Sequence, residues 1–365
     1  MGGAAEPRVC VVGQHELDYP RNIVNQRLIR AAGYTISLCH SRGHPLLRTL
    51  SILAQYLRVA RGAKLVFATE GSARHIPWIK LATLWTGHAI VFDPFISHYN
   101  TDVEDRKLYR AWSYGGLRAT CRDYVGCRFA DYLVFDTHEH KAYFFERYGL
   151  GSKPYRIVPV GVDEDVFRVR PVPVRRVGQP CEVLFYGTYI PLHGIDVILN
   201  AADRLRGDGS LRFTLIGEGQ ELARIRELAE RMALPSLRFL GSLAPERLAE
   251  HIAGADLCLG IFDAGIKAGQ VVPNKVVQCA AMMKPIITRR SNAVERYFRD
   301  GVSARLVPPG DAVALATAIS DLARDPAQCA ALGRGARDVF ERHFSQHAQL
   351  RTMRELLDEA AAVRH

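Results

Sequence analysis

Nowhere in this sequence do about 18 apolar residues run together, so no helix that crosses a bilayer is expected. The opening residues, MGGAAEPRVCVVG, lack the basic start and long apolar core of a secretory signal. Glu6 stands where a myristoylation motif needs Ser or Thr. Cysteine is sparse: eight in 365 residues do not build a disulfide scaffold. Cys10, Cys39, Cys181, Cys258 and Cys279 lie in or beside apolar runs and read as buried thiols. Cys121 and Cys127 are not spaced like a zinc pair. A reducing, cytoplasmic setting is the expectation. There is no complete G-x-G-x-x-G and no G-x-x-x-x-G-K, which disfavours a dinucleotide-binding fold or a P-loop. There is also no H-E-x-x-H, no carboxylate-rich metal loop and no G-x-S-x-G, so no metal site is expected. Zinc-finger and RNP-type motifs are missing, so nucleic acid is not an expected partner.

What is present is long alternation. With 48% hydrophobic and 24% charged residues, the chain has the composition of a globular protein. Its 365 residues exceed one ordinary core and predict two domains. Short β-branched runs such as RVCVVG, YTISLCH, AKLVFAT, HAIVFD and DYLVFDT alternate with helical patterns, including one long stretch over 103–129. Strands this apolar, separated by helices, imply a parallel sheet covered on both faces. Residues 163–180, DEDVFRVRPVPVRRVGQP, carry three prolines and no clean period, and read as a linker. The alternation then restarts with CEVLFYG, LRFTLIG, LRFLG, ADLCLGIF, KPIIT and SARLV. The fold class is therefore α/β, with two Rossmann-like parallel-sheet domains. The first is expected over 1–165, a linker over 166–180 and the second over 181–345. Ligands of such sheets sit beyond the carboxyl ends of the strands, and two facing domains would make a cleft.

The net charge is +10, and much of the first half's excess falls between residues 42 and 80. Arg42, Arg48, Arg58, Arg61, Lys64, Arg74 and Lys80 stand there against Glu70 alone. The stretch HPLLRTLSILAQYLRVARG reads as an amphipathic helix whose arginines flank an apolar stripe. Such a helix suits an anionic membrane surface or an anionic substrate, as well as ordinary packing on a sheet.

Polar residues with chemical potential cluster just after strands. Gly187 and Thr188 follow the strand VLFY, with His193 before the next helix; glycine there lets backbone amides approach a phosphate. Gly217 and Glu218 follow FTLI, and Gly241 with Ser242 follows RFL, where a flat ring could lie against them. The stretch DAGIKAGQVVPNKVVQCAAMMKPIIT puts Pro273, Asn274 and Lys275 at a helix start, behind a loop with Lys267. Pro273 fits the first turn, where its missing N–H costs nothing. The first amides of that helix are unpaired, and its dipole adds positive charge. Lysine opposes that dipole, so lysines here suggest a nearby anion such as a diphosphate. In the first domain Asp93 ends a strand, with His98 and Asp102 beyond it. His138 and His140, two apart, do not share a helix face and do not read as a metal pair.

These motifs resemble the retaining, nucleotide-sugar-dependent glycosyltransferases of family 4, which have the GT-B fold. The likeness rests on IVPVGVDEDVF, LFYGTYIPLHGIDVILNAA, FTLIGEGQE, LRFLGSL and VPNKVVQCAAMMKPIIT, in that order. It implies a nucleoside-diphosphate sugar bound to the second domain, an acceptor on the first, retained anomeric configuration and usually no metal or resident cofactor. The segment FSQHAQLRTMRELLDEAA resembles the helix that returns to the first domain, here 346–365. Many family members carry Arg and Lys where this chain has Thr188 and His193, and two glutamates where it has Gln270 and Gln278. With those replacements, the resemblance assigns the diphosphate to Lys267, Lys275 and the amides near Asn274, helped by Gly187 and Thr188. Gln278 is assigned the ribose, Gln270 the sugar, and Gly241 with Ser242 the base. Asp93, then His98, are the first-domain groups expected at the reacting centre. The acceptor expectation is a saccharide, a lipid-linked saccharide or a small molecule, the enzyme lying at the inner membrane face in the lipid-linked case. An epimerase or hydrolase of the same plan, and a non-catalytic nucleotide-sugar-binding protein, remain open at this point.

Overall fold

A computed structural model of the chain describes residues 6–13, 19–41, 43–171, 178–234 and 236–363. Arg42 of the basic segment lies outside them. The described chain divides into two compact units, Met1–Pro159 with Gln346–His365, and Val160–Ser345. The second unit thus starts at Val160, ahead of the expected linker 166–180, of which 172–177 lie outside the described residues.

The first unit is built from β1 (Arg8–Gly13), α1 (Pro20–Ala31), β2 (Thr35–His40), α2 (Pro45–Val59), β3 (Ala63–Ala68), α3 (Ile76–Thr86), β4 (Ala89–Phe92), α4 (Tyr114–Phe129), β5 (Tyr132–Phe135), α5 (His138–Tyr148) and β6 (Tyr155–Ile157). The strands form one parallel sheet in the order β2-β1-β3-β4-β5-β6. The order reverses beside β1, and crossovers to either side of it place helices on both faces. On one face Ile52 and Tyr56 of α2, Ile76 and Ile79 of α3, Cys127 of α4 and Phe144 of α5 join the core. On the other, α1 packs with the C-terminal helix, whose Met353, Leu356, Leu357 and Ala360 are buried against Val24, Leu28 and the strands. The stretch 103–129 is not one helix. A π-helical turn covers Asn100–Asp105, Lys107 takes φ 53°, and α4 starts afresh after Ser113, whose side chain caps the Gly116 amide.

The second unit runs β7 (Cys181–Tyr186), α6 (Ile195–Arg204), β8 (Leu211–Ile216), α7 (Leu222–Met232), β9 (Leu237–Leu240), α8 (Pro245–Gly254), β10 (Leu257–Leu259), α9 (Ile266–Gln270), α10 (Asn274–Ala281), β11 (Ile286–Arg289), α11 (Asn292–Glu295), β12 (Arg305–Val307), α12 (Ala312–Arg324) and α13 (Pro326–His343). The helix that follows, α14 (Gln346–Ala362), is the one packed in the first unit. Its own parallel sheet has the order β12-β11-β10-β7-β8-β9. The connections leave β7 towards β8 on one side and reach β10 on the other. The carboxyl end of β7 is therefore the switch point where open α/β sheets hold ligands. All five thiols expected to be buried are buried, and none of them forms a disulfide.

Candidate active site

At the carboxyl edge of the second sheet, each strand exit supplies one part of a polar cradle. Strand β7 ends at Tyr186, and Gly187 follows with φ 140°, a conformation glycine adopts readily. A Cβ there would stand 3.0 Å from both the Lys275 Nζ and the His193 Cε1, so the absent side chain leaves room for those two groups. Gly217, after β8, has φ 138°, and a Cβ on it would lie 2.0 Å from the Gly187 carbonyl oxygen. The two exits are backbone against backbone, and no other residue type fits the second. Glu218 belongs to the same exit: its carbonyl accepts from the Tyr189 amide at 2.8 Å. Its carboxylate oxygen lies 3.2 Å from where a Gly241 Cβ would be, which brings the third exit alongside. Ser242 and Thr188 are exposed on this edge.

Lys275 is the unusual member. The helix α10 starts at Asn274, and Pro273 is its N-cap rather than its first helical residue; its carbonyl accepts from the Val276 and Val277 amides. A lysine at a helix start is expected to reach outward, but this one folds inward. The residue is 5% exposed, and its Nζ lies 3.9 Å from the centre of the Phe185 ring. No hydrogen-bond partner reaches that buried Nζ among the described residues. Burial holds its pKa well below the usual lysine value, with the Cys279 thiol pulling slightly the other way. His193 is half-buried and packs edge-on against the same Phe185 ring. Burial, then the field of Lys275, keep its imidazole well below its ordinary pKa; a bond to the Thr188 carbonyl opposes this, and Lys267 adds to the depression. His193 is thus held towards its neutral form, its N–H engaged by the Thr188 carbonyl, and Lys267 is near enough for its charge to be felt.

Four more polar groups complete the edge. The Tyr186 hydroxyl lies 3.1 Å from the Lys275 carbonyl and 3.0 Å from Gln278 Oε1, and donates to one at a time. That contact turns the Gln278 amide group to face away as a donor. Gln270 ends the short helix α9, half-buried. Arg289, at the end of β11, is 7% exposed and donates through Nη1 to the Asp263 and Gly265 carbonyls at 2.6 and 3.1 Å, pinning the loop before Lys267. Sequence reading missed Tyr186 and Arg289. Their only signal was a polar tip ending an otherwise apolar strand.

In the first unit the expected polar groups take different roles. Asp93 has no exposure at all. Its Oδ2 accepts from Arg21 Nε at 2.8 Å and from Asn25 Nδ2 at 2.7 Å, while Arg21 Nη1 donates to the Val158 and Pro159 carbonyls. Asp93, expected at the reacting centre, is thus fully buried in this structure and faces the Arg21 guanidinium. Glu70 lies beside this pair, held by Asn22 Nδ2 at 2.8 Å. Burial first, then the Asp93 charge, raise its pKa to about 8. His98 is half-buried, and its amide donates to Asp123. Asp123 also accepts from Ser97 Oγ, the Tyr99 amide and the Tyr148 hydroxyl, and so anchors the loop after β4. His140 is a buried partner of Asp136 at 2.7 Å.

Residues 180–325 match a family model described as "Glycosyl transferases group 1". The chain is 31% identical over 206 residues to a D-inositol 3-phosphate glycosyltransferase of Geodermatophilus obscurus, covering 52% of this chain and 45% of that one. It is 23% identical over 282 residues to a putative colanic acid biosynthesis glycosyltransferase of Escherichia coli, covering 76% and 64%. The chain spans about half the length of the first curated relatives it matches. Among solved structures, the HepE protein of Anabaena in complex with UDP and glucose superposes with a TM-score of 0.74 at 14% identity, over 97% of this chain and 100% of that one. A sucrose-phosphate synthase of Thermosynechococcus elongatus gives 0.73 at 16%, over 97% and 98%. The fold is that of the GT-B glycosyltransferases, two parallel-sheet units of six strands each.

Proposed function

We propose that this chain, whose residues 180–325 match the group 1 glycosyl transferase family model, is a retaining, family 4-like hexosyltransferase that uses a nucleoside-diphosphate sugar. The observation that carries the reading is the buried Lys275 amino group, which has no hydrogen-bond partner among the described residues and stands under a glycine-lined strand exit. A charge in that position is costly until an anion arrives. A diphosphate delivered over Gly187 draws the lysine off the Phe185 face and is gripped by it, by Lys267 and by the amides of Thr188 and Asn274. His193 adds a donor once its N–H turns from the Thr188 carbonyl to the phosphate. Gln278 takes the ribose, Gln270 the sugar, and Glu218, Gly241 and Ser242 flank the base.

Charge grows on the departing diphosphate as the bond from the sugar's anomeric carbon to the phosphate oxygen breaks. Preorganised positive groups act most strongly on that developing charge. The new bond forms from the acceptor oxygen to the same carbon and face, and the acceptor's proton passes to the leaving phosphate. Neither metal nor resident cofactor enters this scheme. The acceptor belongs to the first unit. A saccharide, a lipid-linked saccharide or a glycoconjugate precursor in the cytoplasm is the class we assign, a reading supported by the names of the curated relatives.

Calorimetry against UDP, GDP, ADP and TDP should find one nucleotide bound clearly above the rest. The matching sugar nucleotides should then turn over only when an acceptor is supplied. Free sugar or an epimer released without acceptor would replace the proposal with a hydrolase or epimerase. Binding with no turnover across donors and acceptors would leave a nucleotide-sugar-binding protein.

A further inference from the structure

Helices α2, α3 and α4 form one layer on a single face of the first sheet, and each packs on the next. Their inner stripes fill the core. Their outer stripes, which ordinarily carry charge, are apolar. On α2 the outward positions three and seven apart are Leu47, Leu50 and Leu57, 52–62% exposed. On α3 they are Trp78, Leu81 and Trp85, the last 89% exposed. On α4 they are Tyr114, Leu117 and Tyr124, and Trp112 just before that helix is 88% exposed. Singly exposed apolar residues need no explanation, but three adjacent helices with matching outward stripes make a contiguous patch that does.

The charges around the patch are of one sign. The three helices hold a single carboxylate, Asp123, which is buried and occupied by the loop after β4. They carry exposed Arg58, Arg118 and Arg128 and half-buried Arg122, with Arg61 and Arg74 at their flanks; Arg48 is buried on the Gly43 carbonyl, and Lys80 pairs with Asp131. Burial, then the fields of Arg48, Arg122 and Arg118, depress the Arg74 guanidinium, so these four cations stand close together. Aromatic rings and leucines ringed by arginine, with no exposed acid on the helices, complement an anionic interface: rings and chains enter the headgroup boundary while guanidiniums hold phosphates. Among the described residues no helix is long and apolar enough to cross a membrane, so the mode is lying on the surface.

We propose that the outer face of α2, α3 and α4 docks on an anionic lipid bilayer, with Trp78, Trp85 and Trp112 entering the interface and the arginines binding headgroup phosphates. The inference stands on this surface alone, independently of the donor reading.

Flotation of the full chain with phosphatidylcholine vesicles, with and without phosphatidylglycerol, tests it. The chain should float with the anionic vesicles and remain behind with the neutral ones, and raised salt should weaken the binding. Trp85→Ser/Trp112→Ser should lose binding while melting at the parent temperature, since both side chains are already in water. Arg58→Gln and Arg118→Gln should each lower the partition coefficient roughly fivefold, the share of one basic side chain near an anionic surface. Lys275→Met should float like the parent, which separates this result from the donor site. Indifference of the parent to phosphatidylglycerol, or undiminished flotation of the tryptophan variant, would overturn the proposal. So would a dimer in sedimentation velocity that the tryptophan variant dissolves, because a second copy would then cover the face.

Discussion

Lys275→Met should give a protein that is more stable when free and weaker in nucleotide binding. The amino group is buried against Phe185 with no hydrogen-bond partner among the described residues, so its removal relieves a cost of about 1–3 kcal/mol, the penalty of a buried polar group left unbonded. The same change deletes a charge-assisted contact to the diphosphate and should weaken binding by about 1.5–3 kcal/mol. Thermal unfolding reads the first effect and calorimetry the second. A purely structural lysine would move stability and leave affinity alone.

The pH dependence has a definite sign. The folded pKa of Lys275 lies below its ordinary value of 10.5, so the unfolded chain binds the extra proton between the two. Stability from this group is therefore missing at low pH and rises with pH across that window. Methionine removes that slope. An arriving anion favours the charged lysine, so nucleotide binding should take up a proton above the depressed pKa, and affinity should fall as pH climbs. Calorimetry in two buffers of different ionisation enthalpy detects the uptake.

Asp93→Asn should cost about 3–5 kcal/mol of stability, because it leaves the Arg21 guanidinium buried without its counter-charge. Both side chains are without exposure, so solvent cannot substitute for the lost partner. The pair Arg21→Met/Asp93→Leu should recover most of the loss, since a packed apolar pair often equals a buried ion pair. Glu70 reports the same change. Its folded pKa of about 8 lies above the ordinary 4.5, so the folded chain binds the extra proton, and this part of the stability falls as pH rises from 4.5 to 8. The Asp93 charge is one cause of that elevation, and without it the window should narrow. A variant that melts like the parent yet loses all transfer would return Asp93 to the reacting centre.

Much of the architecture was legible because parallel strands are buried on both faces and read as apolar runs, and because strand exits that approach a ligand or one another carry glycine. Gly187, Gly217 and Gly241 were visible for that reason, and the structure does gather them at one edge. The inward turn of Lys275 was not legible. A helix start marks where a side chain leaves the backbone, but only the tertiary packing of Phe185 and the empty Cβ position of Gly187 draw it inside. The pairing of Asp93 with Arg21 was hidden for a related reason: Arg21 lies 72 residues away in sequence, and neither residue's neighbourhood announces the other. The broken helix over 103–129 did carry a signal in Ser113 before Gly115 and Gly116, a cap that was outweighed by the apolar periodicity on either side. The apolar outer stripes of α3 and α4 were unreadable as such, because periodicity shows that a helix has faces and not which of them meets the sheet.

The central claim is that the buried amino group of Lys275, beneath a glycine strand exit, takes its charge when a diphosphate arrives. A crystal structure with the nucleoside diphosphate selected by calorimetry tests it most directly. The account predicts phosphate oxygens within about 3 Å of the Lys275 Nζ, the spacing of a charge-assisted hydrogen bond, and over the amides that follow Gly187. A nucleotide bound elsewhere, with Lys275 still resting on Phe185, would contradict it.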